Sequence, residues 1–114
     1  MHEAGIAQNI ATAIQERIAS GEISGRVRTI CLRVGRLTAV IPDNLRFMFE
    51  VVTRDTELAG VQLEIELIPV RGHCAACNAD FEIDEVNFWC NACHSPRVTL
   101  LSGQELSITA VEVD

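Results

Sequence analysis

CAACNADFEIDEVNFWCNAC, residues 74–93, carries two Cys-x-x-Cys pairs, Cys74 with Cys77 and Cys90 with Cys93, separated by twelve residues. Each pair aims two sulfurs at one point from adjacent backbone, and two such turns facing each other make a tetrahedral sulfur cage that suits Zn(II). A closed four-thiolate site keeps no coordination position for a substrate. The metal is therefore expected to fold the surrounding segment, because so short a stretch buries too little apolar surface to stand alone and metal binding supplies the missing free energy. FEID (81–84) and NFW (87–89) are expected as short strands between the two turns. Iron held as in rubredoxin is the other occupant of such a cage, and it would make the protein red.

Residues 90–94, CNACH, also read as the attachment signature of a c-type haem, but the second Cys-x-x-Cys pair competes for that role and no export signal is present. The same context, with an odd total of five cysteines, favours metal or reduced thiols over disulfides. His73 and His94 flank ligand cysteines, where a histidine is an exposed neighbour or a donor to a ligand more often than a ligand itself. Cys31 lies alone in a strand pattern and is expected to be a small buried hydrophobe, with no His and acid pair nearby in the sequence to activate it.

Outside this module the chain reads as helices and strands. Ile6, Ile10, Ile14 and Ile18, with Ala7 and Ala11, recur at helical spacing and predict an amphipathic helix over 5–20. Residues 26–35 alternate, with Ile30, Leu32 and Val34 on one face and Thr29, Cys31 and Arg33 on the other, and predict a strand. Pro42 and Asp43 open a second helix that Leu45, Met48, Phe49 and Val52 carry to about Arg54. Val61, Leu63, Ile65 and Leu67 against Gln62, Glu64 and Glu66 predict a strand with one wet face. Residues 105–113 predict a last strand, with a change of phase around Ala110 and Val111. The fold class is α+β: a three-stranded sheet with two helices, over 1–69 and 101–114, with a small four-cysteine zinc-ribbon-like domain inserted at 70–100.

One hundred and fourteen residues allow one core plus a small module, and an apolar content of 48% gives no sign of disorder. No stretch approaches the roughly 18 apolar residues of a membrane span, and the start has no secretory pattern, so the cytoplasm is expected and a membrane is not. A formal charge of −7 argues against nucleic acid as partner, since that contact is driven by Lys and Arg. No nucleophile, base and orienting acid can be assembled, and no phosphate-cradling glycine loop is present, so the chain is not expected to be an enzyme.

The first three residues have chemistry of their own. The α-amine of Met1, with an ordinary pKa of about 7.7–8.0, the imidazole of His2 and the peptide nitrogens of His2 and Glu3, between or beside them, can together make a planar, nitrogen-rich set that selects Ni(II) or Cu(II) over Zn(II). The helix that follows tethers this end beside a folded core.

MHE at 1–3, the Ile-rich helix, VGRLTAVIPDNLRFMFE at 34–50 and the late CxxC…CxxCH module followed by ELSITAVEVD together resemble the HypA/HybF family of nickel metallochaperones for hydrogenase maturation, over essentially the whole chain. The resemblance implies one Ni(II), carried as cargo by Met1, His2 and Glu3, and one structural Zn(II) held by Cys74, Cys77, Cys90 and Cys93. It implies delivery of nickel to the large-subunit precursor of a nickel–iron hydrogenase with a HypB-type GTPase as partner, and in some members support of urease. Relatives often carry an acid in a stretch like VDPE where this chain has Ile41, which leaves the role of Asp43 open. The alternative function is a zinc-ribbon adaptor in transcription or nucleic-acid binding, which should display clustered Lys and Arg; residues 71–100 hold only Arg71 and Arg97 against Asp80, Glu82, Asp84 and Glu85. The sequence does not decide between a monomer and a homodimer.

Overall fold

Apolar side chains four residues apart wind Glu3–Ala19 into helix α1, which buries Ile6, Ala7, Ile10, Ala11 and Ile14 and leaves Ile18 half-buried. In this computed structural model the described residues are 3–83 and 88–114. Helix α2, Pro42–Thr53, starts with proline at a position whose N–H would be unbonded in any helix. It buries Leu45, Phe49 and Thr53 and packs on α1. A buried side chain such as that of Phe49 stabilises by about 1.5–3 kcal/mol. The Thr53 hydroxyl avoids an unpaired burial by donating to the Phe49 carbonyl at 2.7 Å.

Strands β1 (Val27–Gly35), β2 (Gln62–Ile68) and β6 (Leu106–Val113) form a sheet in the order β2-β1-β6. Cys31 faces Glu64 and Arg33 faces Glu66, so β1 and β2 advance together, and α2 lies between them in the chain as a parallel crossover requires. Arg28 faces Glu112 while the Asp114 N–H donates to the Arg26 carbonyl at 2.9 Å, so β6 runs antiparallel to β1. The buried face of β1 is Ile30, Leu32 and Val34, as the alternation predicts, but Thr29 is buried too. Two consecutive buried residues break the phase of the pleat. In β6 the half-buried residues are Ile108 and Val111, an odd interval, which places the expected phase change there. In β2, Leu67 departs from the predicted face: it is 39% exposed, and Ile68 is buried in its place.

A second sheet is built from β3 (Arg71–Cys74), β4 (Asp80–Glu82) and β5 (Val98–Ser102) in the order β4-β3-β5, with both pairings antiparallel. Only β4 matches a predicted segment, FEID. Phe88 and Trp89 of NFW are not in a strand, and Asn87, like Asp84 to Val86, lies outside the described residues. Val70, Cys74, Phe81, Ile83 and Cys90 form its small core, with Val98 and Leu100 packed against them.

By internal packing the chain divides into two units: residues 1–33, 40–66 and 107–114, and residues 34–39 with 67–106. In the second unit Gly35 and Gly103 pass so closely that a Cβ on Gly35 would overlap the Gly103 carbonyl, while the Leu37 N–H donates to that carbonyl oxygen at 2.8 Å.

Candidate metal centre

The sulfurs of Cys74, Cys77, Cys90 and Cys93 lie within 4.8 Å of one another, and none of these cysteines is in a disulfide. Cys74 and Cys93 are 3.6 Å apart, as are Cys77 and Cys90. A tetrahedron with Zn–S bonds of 2.3 Å has edges of about 3.8 Å, whereas a disulfide needs about 2.05 Å. The donor set and its spacing therefore fit one tetrahedral metal ion.

The two turns are built alike. The Asn78 N–H donates to the Cys74 carbonyl and the His94 N–H to the Cys90 carbonyl, each at 2.8 Å. The Cys74 N–H donates to Ala79 and the Cys90 N–H to Ser95, at 2.9 and 3.0 Å. In both turns the residue after the second cysteine is left-handed, with φ of +62° at Asn78 and +63° at His94. His94 thus stands where a turn needs an unusual backbone, which the sequence alone does not reveal. His73 pairs through Nδ1 with Asp80, its register partner across β3 and β4.

Backbone donors also tune the thiols. The N–H groups of Cys93 and Ala92 point at Cys90 Sγ at 3.5 and 3.4 Å and hold its pKa down at about 6, against the opposing effect of burial. Those of Cys77 and Ala76 lower Cys74 in the same way. For Cys93 the Ser95 N–H pulls downward, but Cys74, burial and the two remaining thiols outweigh it and push the pKa up to about 12. Cys77 also rises, because Cys90, burial and Cys74 overcome the Ala79 N–H. Without a cation, the backbone donors favour the thiolate at the buried Cys74 and Cys90, while the neighbouring thiols and burial favour the protonated form at the exposed Cys77 and Cys93. A bound dication holds all four as thiolates.

Of the predicted nickel ligands, Met1 and His2 lie outside the described residues. Glu3 opens α1, and its carboxylate accepts a hydrogen bond from the Ile41 N–H at 3.3 Å. Asp43 turns to Arg46, at 3.2 Å, with its side chain 93% exposed. Cys31 is not the buried hydrophobe expected from its isolation: it is half-buried and its Sγ lies 3.4 Å from Glu64 Oε2. The alternation that puts Cys31 beside Arg33 on the wet face was the available signal.

The family model described as "Hydrogenase/urease nickel incorporation, metallochaperone, hypA" matches residues 1–113. The chain is 42% identical over 113 residues to the hydrogenase maturation factor HypA of Desulfatibacillum aliphaticivorans, covering 99% of this chain and 87% of that protein. It is also 42% identical to the HypA of Desulfosudis oleivorans, covering 99% and 98%. Two solution structures share the fold. One, described as HypA protein, has a TM-score of 0.71 at 19% identity over 99% of this chain and 96% of that one. The other, the Ni metallochaperone HypA from Helicobacter pylori, has a TM-score of 0.65 at 21% identity over 99% and 97%. These matches favour a nickel carrier over a zinc-ribbon adaptor, and among the described residues no helix is long and apolar enough to cross a membrane. The chain belongs to the HypA family of nickel metallochaperones for hydrogenase and urease.

Proposed function

We propose that this chain carries Ni(II) on Met1, His2 and Glu3 and delivers it to the large-subunit precursor of a nickel–iron hydrogenase, while Cys74, Cys77, Cys90 and Cys93 hold a structural Zn(II). The match to the family model over residues 1–113 carries this reading. The Met1 amine, the amide nitrogens and the His2 imidazole supply the planar nitrogen set that Ni(II) prefers, and Glu3 adds a carboxylate from the first turn of α1. Residues 1–69 with 101–114 form the nickel domain and residues 70–100 the zinc domain. A HypB-type GTPase supplies the nucleotide hydrolysis, in the cytoplasm, and this chain acts as a carrier and not as an enzyme. Phe47 and Val51, one turn apart on α2 and both exposed, Phe47 at 61%, support a protein partner. Urease is the second destination in keeping with the family's description.

Nickel titration of three proteins tests the reading: native, His2→Ala, and a chain with a few residues added before Met1. His2→Ala and the extension are each expected to weaken binding by about 100-fold, with zinc unchanged at one per chain. Equal nickel binding by all three would sink the terminal site. Because nickel displaces protons from the amine and amides, affinity also falls as pH drops toward 6.

A further inference from the structure

Cys31 of β1, Glu64 of β2 and Glu112 of β6 bring one sulfur and two carboxylate oxygens within 4.8 Å of one another. The phase break makes this possible. With Thr29 and Ile30 both buried, Arg28 and Cys31 share the wet face of β1, and Glu112, which pairs with Arg28, comes within reach of the thiol. A tetrahedral ion with one thiolate at 2.3 Å and one carboxylate at about 2.1 Å has an S···O edge of about 3.6 Å. The Cys31–Glu64 edge, at 3.4 Å, is already close to it. Both glutamates are exposed, so small side-chain rotations complete the triangle.

The surroundings also suit a cation. A concavity of about 480 Å³ lined by Cys31, Glu64, Glu66, Arg46 and Thr109, among others, opens on the Cys31–Glu64 edge of the triangle and leaves room there for water ligands. Arg33 pairs with Glu66 and Arg46 with Asp43, while Arg28 holds Glu112 at 3.3 Å and also reaches Asp114, so an ion that takes Glu112 leaves Arg28 paired with Asp114. The Cys31 thiol is held above its ordinary pKa by burial, by its hydrogen bond to Glu64 and by the charges of Glu64 and Glu112, a negative field that a dication reverses. A thiolate disfavours Mg(II) and Ca(II), and two carboxylates disfavour Cu(I), which leaves the borderline divalent ions.

We propose that Cys31, Glu64 and Glu112 form a second metal site, separate from the four-cysteine cage, that takes a borderline-soft divalent cation of the Zn(II) class in a set completed by water. On binding, the Cys31 S–H bond breaks, its proton leaves to solvent and a sulfur–metal bond forms. The site is independent of the nickel proposal, because the amino-terminal ligands contain no thiolate.

Titration of the full chain with Cd(II), read by thiolate-to-cadmium charge-transfer absorption, tests it. The four-cysteine cage fills first. The native protein then gives a second increment of about a quarter of the first, one thiolate against four. Cys31→Ser loses that increment and keeps the first, which shows the fold and cage intact. Glu64→Gln combined with Glu112→Gln keeps the thiol but weakens the second phase by about tenfold or more. Absence of a second increment in the native protein, its persistence in Cys31→Ser, or unchanged affinity in the double glutamine variant would each overturn the proposal.

Discussion

The carboxylate of Glu3 accepts a hydrogen bond from the backbone N–H of Ile41, joining the first residue of α1 to the residue that precedes α2. The contact uses the Ile41 backbone, so the apolar side chain at this position does not prevent the loop from steadying the amino terminus. Glu3→Gln keeps an acceptor but loses the charge, whereas Glu3→Ala loses both. We expect an unchanged fold for Glu3→Gln with nickel affinity down about tenfold, and a further loss of about 0.5–1.5 kcal/mol in thermal stability for Glu3→Ala. Identical nickel affinities in native and Glu3→Gln proteins would remove the carboxylate from the ligand set.

The cage sets its own pH dependence. Cys90 is depressed to about 6 and Cys74 is lowered, so the contribution of their thiolates is present above the ordinary thiol pKa and is lost as pH falls through the depressed value. Cys93, pushed up to about 12, works oppositely in the metal-free chain: its contribution is present below the ordinary value and is lost as pH rises toward 12. Zinc release to a colorimetric chelator should therefore stay low at neutral pH and climb steeply below about 6. A release midpoint above pH 7 would contradict this.

Removing the zinc should unfold the second sheet, whose core has few apolar residues besides Cys74 and Cys90. Chelation at pH 7.5 is expected to abolish hydrogen-exchange protection in β3 to β5 while leaving α1 and α2 protected. Retained protection in the second sheet would show that its apolar core suffices alone.

Asn78 and His94 occupy left-handed backbone after each Cys-x-x-Cys pair. Glycine there relieves strain, so Asn78→Gly and His94→Gly should keep one zinc per chain with stability unchanged or raised by up to about 1 kcal/mol. Asn78→Val should cost about 1–2 kcal/mol. Zinc lost from His94→Gly would instead make the imidazole a ligand.

Gly35→Ala forces a methyl group into the Gly103 carbonyl and should destabilise by more than about 2 kcal/mol, visible as a Tm drop of several degrees. Gly5→Ala is the matched control: among the described residues nothing lies within 4 Å of that position, and alanine inside α1 should add about 0.5–1 kcal/mol.

Elements with a long apolar period were legible in the sequence. The isoleucine stripe of α1, Pro42 at the start of α2 and the alternation in β1 each state their structure locally, and the four cysteines state theirs by spacing. The strands around the metal were less legible. RGHC contains a glycine and spans four residues, and β5 pairs with it only after the cysteines fold the chain back. Leu67 and Ile68 exchanged roles because alternation alone does not say where a strand leaves one core. The meeting of Cys31, Glu64 and Glu112 was hidden for a related reason: it depends on a break in phase and on three strands far apart in sequence.

Each turn of the cage supplies one inner sulfur, Cys74 or Cys90, and one outer sulfur, Cys77 or Cys93. Exchange of the ion is thereby one-sided. A scavenging thiol or an oxidant meets the outer pair first, and the inner pair, buried and with lowered pKa values, is the last it reaches.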